Sequence, residues 1–254
     1  MESLISKLIQ HKASISVIGL GYVGLPLVIQ LINKDYKVIG FDIDKEKINT
    51  LNNSRSYIKH ISNRAIIKIL KKGFFATKDW SLIKSIDIII ICVPTPLTRG
   101  NTPDLSYLKT TLDSITSHFK KGQLLIIEST SYPGTTTEIV LPRIQKIGYK
   151  VGKNYFLSFS PEREDPGNQN FSYEKIPKIV SGITKNCLQI TKTFYDEVFD
   201  KTVTVSSTET AEMTKLLENI YRSVNIGLVN EIKMIADKMD IDIYEVIEAA
   251  STKP

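Results

Sequence analysis

Short apolar runs alternate along this chain with longer stretches whose apolar residues recur at helical spacing. The runs predict strands at 14–18, 37–42, 74–77, 86–93, 123–128 and 155–160. The stretches between them predict helices near 23–34, 45–52, 62–72, 105–118, 135–147 and 186–198. This alternation implies a doubly wound α/β fold, a parallel sheet covered by helices on both faces. The last third changes character. Thr202–Val205 reads as a final strand, and Ser206-Ser207-Thr208-Glu209 fits a capping box. A long helix follows over 208–238, with Met213, Leu216, Leu217, Ile220, Val224, Leu228, Ile232 and Ile235 at helical spacing, and then a short one near 243–250. Two domains are expected: 1–205, and a helical one over 206–254 that is cut short at Pro254.

The first βαβ unit carries the most specific chemistry. Ile15 to Gly24 reads I-S-V-I-G-L-G-Y-V-G, a strand running into G-x-G-x-x-G at Gly19, Gly21 and Gly24. A helix follows, and the second strand ends at Asp42, 23 residues after Gly19. Strand, glycine turn, helix, strand and terminal carboxylate form the dinucleotide-binding fingerprint of a Rossmann-type sheet. Gly19 permits a tight turn, Gly21 lets backbone approach a pyrophosphate, and Gly24 lets helix and strand pack closely. The helix N-terminus offers N–H groups and a positive dipole end to phosphates. Asp42 suits the ribose hydroxyls and would repel a 2′-phosphate, so the cofactor expected is NAD, not NADP. Tyr22 and Val23 sit inside the turn, and Lys47 lies five residues past Asp42, toward the adenosine end.

Composition narrows the remaining classes. The chain has 254 residues, 42% hydrophobic and 24% charged, as an ordinary globule does. Its net charge of +6 comes from scattered residues, with Lys71–Lys72 and Lys120–Lys121 only doublets, so no nucleic-acid partner is expected. The longest apolar run, Ile86 to Val93, is eight residues and includes Asp87, far short of a membrane span. The first 13 residues lack a signal-peptide pattern, and a cytoplasmic location is expected. Cys92 and Cys187 suggest no disulfide framework, and His11, His60 and His118 have no metal-ligand spacing, so no metal is expected.

The chemistry-bearing residues after the first unit fall on strand ends and on the long helix. Pro94-Thr95-Pro96 follows the fourth strand, where open α/β sheets form their ligand crevice. Glu128-Ser129-Thr130 ends the next strand, and Pro133-Gly134-Thr135-Thr136 opens a helix. Thr130 is placed to hold a water or substrate oxygen. The loop Ser160-Pro161-Glu162-Arg163-Glu164-Asp165-Pro166-Gly167-Asn168 follows the sixth strand. In it Glu162 is a candidate general base or a residue that orients a water, and Arg163 a candidate partner for phosphate or carboxylate. Lys215 and Asn219 lie one helical turn apart, with Arg222 beyond. An ammonium and an amide so spaced can hold the oxygen of an alcohol undergoing oxidation.

Taken in order, Gly19-Leu20-Gly21-Tyr22-Val23-Gly24-Leu25-Pro26, Val93-Pro94-Thr95-Pro96, Glu128-Ser129-Thr130, Pro133-Gly134-Thr135-Thr136, Ser160-Pro161-Glu162-Arg163, and Lys215 with Asn219 resemble the nucleotide-sugar 6-dehydrogenases. The Ser160–Asn168 loop looks most like the UDP-N-acetylglucosamine 6-dehydrogenase branch; Pro166 stands where the UDP-glucose branch has a second glutamate. The resemblance implies an NAD-dependent enzyme that oxidises the C6 alcohol of a UDP-sugar to a carboxylate for bacterial surface polysaccharide. It implies that Thr130, Glu162, Lys215 and Asn219 are catalytic, and that Glu162, Arg163, Lys215 and Asn219 meet the substrate. It places Gly19, Gly21, Tyr22, Val23, Gly24, Asp42, Lys47, Thr95 and Thr130 around NAD, and pairs two copies through the long helix as a homodimer. The family's cysteine, which forms a thiohemiacetal and then a thioester, falls just past Pro254, followed by a second Rossmann-like domain for uridine diphosphate. A chain ending at Pro254 is therefore expected to bind NAD without full activity. A β-hydroxyacid dehydrogenase, with a similar Lys and Asn pair, and a non-catalytic NAD-binding or dimerisation module are the rival readings.

Overall fold

The computed structural model describes residues 1–163 and 175–253. Glu164, Asp165, Pro166, Gly167 and Asn168 of the Ser160–Asn168 loop lie outside the described residues. The chain divides into two compact units, Met1–Met213 and Thr214–Pro254.

The first unit opens with α1 (Glu2–Ile9), β1 (Ser14–Ile18), α2 (Gly24–Asn33) and β2 (Lys37–Phe41). It continues with α3 (Lys45–Asn52), α4 (Asn63–Lys71), β3 (Phe75–Thr77), β4 (Ile88–Ile91) and α5 (Ser106–Ile115). Next come β5 (Leu124–Ile127), α6 (Leu141–Lys146), β6 (Phe156–Phe159), β7 (Lys178–Val180), α7 (Lys185–Asp196) and β8 (Thr202–Thr204). The helix α8 (Thr208–Lys238) starts in the first unit and runs through the second, where α9 (Ile243–Ser251) follows it.

Six strands form one parallel sheet in the order β3-β2-β1-β4-β5-β6. The order reverses between β1 and β4, which opens a crevice at their carboxyl ends. Every residue of β4, β5 and β6 is buried, as expected of strands covered on both faces. Alternate side chains feed separate cores. Ile88 and Ile90 join Leu25, Leu31 and Phe194 on one face. Ile89 and Ile91 join Leu108, Leu112 and Ile144 on the other.

Several expectations from the sequence are corrected. The strands at 86–93, 123–128 and 155–160 are each shorter than the apolar runs that mark them, although Asp87, Cys92, Glu128 and Ser160 at their edges each keep a backbone bond to a neighbouring strand. The final strand, β8, does not extend the main sheet; it pairs in parallel with β7. Neither β7 nor α1 is foreseen in the sequence. The helix expected over 135–147 begins as a π-helical turn, Thr135–Val140, and the one over 105–118 ends in a 3₁₀ turn, Thr116–His118. The cap of α8 lies one residue later than the capping-box pattern: Ser207 Oγ accepts from the Thr210 N–H at 3.1 Å.

Candidate functional site

The glycine turn lies at the reversal of strand order. Gly19 adopts φ +93°, and a Cβ there would stand 2.6 Å from the Cys92 carbonyl oxygen at the end of β4. A Cβ on Gly24 would stand 1.9 Å from the Gly19 carbonyl oxygen. Both positions therefore exclude any side chain. Gly21 is different, because a Cβ there meets nothing within 4 Å. Its missing side chain leaves open ground beside the helix N-terminus, which is what a pyrophosphate needs. Val23, half-buried, is the N-cap of α2 and supplies no side-chain cap, and no acidic residue stands in the first turn. Free-standing N–H donors without a competing anion fit a phosphate ligand.

The turn is braced from two sides. Asp42, buried at the end of β2, accepts from the Leu20 N–H at 2.9 Å through one oxygen and from the Asp44 N–H at 3.0 Å through the other. The Tyr57 hydroxyl donates to the Leu20 carbonyl. Burial, with Asp42 and Asp44 nearby, raises the Tyr57 pKa above the ordinary phenol value, so this donor stays protonated. Sequence reading misses Tyr57, whose segment carries no periodic signal. Lys47 Nζ lies 6.0 Å from the centre of the Tyr57 ring. Tyr22 is exposed and makes a tilted ring contact with His60 at 6.2 Å.

Beyond β4, the Thr95 hydroxyl oxygen is buried without a hydrogen-bond partner, as is that of Ser131 beyond β5. Unpaired buried hydroxyls are costly; those of Ser16 and Tyr155 are unpaired too, but Thr95 and Ser131 follow strand ends on the crevice side of the sheet. Thr130 itself is exposed. Ser131, its neighbour, escapes notice in the sequence because nothing local distinguishes it from other loop serines.

The motif Pro133-Gly134-Thr135-Thr136 has a structural task. Glu212, buried in the first turn region of α8, accepts from the Gly134 N–H at 2.7 Å, the Thr136 N–H at 2.9 Å and the Thr136 hydroxyl at 2.6 Å. Burial raises the Glu212 pKa above the usual carboxylate value, while these donors oppose the rise. The loop therefore anchors the start of α8 to the end of the sheet.

At the ends of β5 and β6, three buried charges meet. Lys178 Nζ lies 2.9 Å from Glu128 Oε2 and 3.5 Å from Glu162 Oε2. The Tyr195 hydroxyl donates to Glu128, and the Lys178 ammonium sits 5.2 Å from the centre of the Tyr195 ring. Burial raises the Glu128 pKa. It also works against the Lys178 charge, but Glu128 and Glu162 outweigh it and hold the lysine above its ordinary value. Burial likewise pushes the Cys92 thiol well up, which leaves it a poor nucleophile. Glu162 Oε1 accepts from the Arg163 N–H at 2.8 Å, and Arg163 Nη1 donates to the Pro177 carbonyl at 2.7 Å. Lys215 and Asn219 belong to the second unit and lie one turn apart on α8. Among the described residues, no group of three or more His, Cys, Asp or Glu side chains is placed to hold a metal ion.

Residues 13–199 match the NAD binding domain of the UDP-glucose/GDP-mannose dehydrogenase family, and residues 209–254 match its central domain. The chain belongs to this family. Protein CapL of Staphylococcus aureus is 39% identical over 242 residues, which cover 94% of this chain and 56% of that protein. The UDP-N-acetyl-D-glucosamine 6-dehydrogenase of Pseudomonas aeruginosa is 35% identical over 242 residues, with the same coverage of 94% and 56%. The solved UDP-D-ManNAc dehydrogenase of Pyrococcus horikoshii superposes with a TM-score of 0.89 at 34% identity, over 95% of this chain and 58% of that one. The chain thus spans a little over half the length of these relatives. Its cofactor is NAD, the ligand of the family domain that covers the glycine turn and Asp42.

Proposed function

We propose that this chain is the NAD-binding and early central part of a UDP-N-acetylhexosamine 6-dehydrogenase, with UDP-N-acetylglucosamine as the substrate. The observation that carries the dinucleotide part of the reading is the open ground at Gly21 beside the uncapped start of α2, with Asp42 buried at the adjacent strand end; the sugar rests on likeness to the Pseudomonas aeruginosa enzyme. Residues 1–205 form the nucleotide domain in this reading, and 206–254 begin the central helical domain. Gly19, Gly21, Tyr22, Val23, Gly24, Asp42, Lys47, Thr95 and Thr130 line the cofactor. Held by these residues, NAD would supply the two-electron hydride acceptor for oxidation of the sugar alcohol. Thr130 and Glu162 assist the water and proton steps, and Arg163 meets the anionic substrate. Lys215 and Asn219 hold the C6 oxygen as negative charge grows on it. Two copies pair through α8, and the enzyme works in the cytoplasm, where UDP-sugars are drawn into surface polysaccharide.

The test joins these 254 residues to the remaining C-terminal portion of the S. aureus relative and follows NADH formation. UDP-N-acetylglucosamine, UDP-N-acetylmannosamine and small 3-hydroxyacids are compared. The reading expects turnover with UDP-N-acetylglucosamine and a loss of kcat of about 100-fold or more for Lys215→Ala. Preference for UDP-N-acetylmannosamine would correct the sugar, and preference for a hydroxyacid would defeat the reading.

A further inference from the structure

Lys178, Glu128, Glu162 and Tyr195 form a buried charged cluster in the first unit, and the cofactor turn makes no use of it. Among the described residues one ammonium is shared by two carboxylates. Lys178 is one ammonium, 3% exposed, within 4 Å of two carboxylates. Glu128 has the stronger hold on it: 2.9 Å against 3.5 Å, with a second donor from Tyr195. Glu162 lies nearer the carboxyl edge of the sheet and accepts from Lys178 on one oxygen and from the Arg163 N–H on the other. A buried lysine is costly unless paired and hydrogen-bonded. Placing one on the short strand β7, behind the candidate base, calls for a purpose beyond packing.

We propose that Lys178 is a positioning residue: its one ammonium, divided between Glu128 and Glu162, fixes the Glu162 carboxylate at the sheet edge and sets how tightly that carboxylate holds a proton. The proposal rests on the reading that Glu162 serves the reaction, and deepens it. Glu128 acts as the competitor. The more of the ammonium it takes, the less remains to stabilise an ionised Glu162. Among the described residues, Glu162 is faced by Lys178 from β7, Glu128 from the end of β5, Cys92 from the end of β4 and its own neighbour Arg163; Tyr195 of α7 stands behind Glu128. Removing the competitor and removing the ammonium must therefore move Glu162 in opposite directions, which a merely structural role does not predict.

The experiment follows the Glu162 side-chain carboxyl by carbon-13 NMR through a pH titration of the 254-residue chain, with the signal assigned by its loss in Glu162→Gln. In Glu128→Gln the Glu162 midpoint is expected to fall below that of the unsubstituted chain. In the double variant Glu128→Gln with Lys178→Met it is expected to rise by about one pH unit or more above that of Glu128→Gln alone. The double variant replaces the buried pair by neutral groups of similar volume, a change that cores often tolerate. Lys178→Arg should keep the midpoint near that of the unsubstituted chain. A midpoint that does not fall in Glu128→Gln, or that stays put when Lys178 is then removed, overturns the proposal. The titration uses no substrate. Full turnover by Glu162→Gln in the joined enzyme would remove Glu162 from the reaction without altering this result.

Discussion

At Gly21 an added methyl group meets nothing within 4 Å, whereas at Gly24 it lands 1.9 Å from the Gly19 carbonyl oxygen. The same substitution is therefore predicted to fail in two different ways. Gly21→Ala should leave stability within about 0.5 kcal/mol, as surface changes do, and yet weaken NAD by about tenfold or more by filling the ground the pyrophosphate occupies. Gly24→Ala should cost about 3 kcal/mol by overpacking against backbone that cannot move aside. Urea melts and NAD titrations of the two variants check both halves; a Gly21→Ala chain that binds NAD normally would move the pyrophosphate elsewhere. These glycines are legible in the sequence because their spacing is local. Lys178 is not, because its partners lie 50 and 16 residues away. A lysine between Pro177 and Ile179 reads as an exposed loop residue until the fold closes around it. Thr130 and Arg163 show a milder version of the same limit. Sequence places both beyond strand ends, but not the exposure of Thr130 or the bond from Arg163 to the Pro177 carbonyl.

Elements whose apolar spacing is periodic, α2, α3, α4, α7 and α8, lie where that spacing puts them. Those that depend on tertiary partners do not announce themselves. The strand β7 has only three residues and pairs with β8, the final strand, in a separate two-stranded sheet. The helix α1 has eight residues, too few to be stable alone, and it is held by packing on α7 and by Lys7. Lys7 Nζ reaches Asp87 Oδ1 at 2.8 Å, and the Ser14 N–H donates to Asp87 Oδ2 at 3.0 Å. Burial alone would raise the Asp87 carboxyl, but the Lys7 and Ser14 donors outweigh it and hold its pKa below the usual value. A carboxyl lowered in the folded state contributes stability above its unfolded pKa and loses it as pH falls through the folded one. Asp87→Asn should accordingly destabilise the chain at pH 7, and the gap to the unsubstituted chain should close as both are taken into acid. A gap of constant size across that range would show that the charge contributes nothing.

The second unit leaves much apolar surface in water. Leu217, Val224, Leu228 and Ile235 are each more than half exposed along α8. Soluble chains rarely leave such a stripe uncovered, and a second copy is the partner proposed for it. Light scattering at high micromolar concentration should report a dimer, and Val224→Asp with Leu228→Asp should return it to a monomer that still binds NAD. A monomer at that concentration in the unsubstituted chain would remove the pairing. At this scale the sequence is most informative: the βα rhythm, the glycine turn and Asp42 together specify a parallel sheet and its crevice. All of that organisation exists to present one cofactor site, and calorimetric titration of NAD and NADP into the 254-residue chain, and into Asp42→Ala, tests it most directly. The account predicts that NAD binds, that NADP binds about tenfold more weakly or worse, and that Asp42→Ala narrows the difference. NADP binding as tight as NAD or tighter in the unsubstituted chain would contradict it.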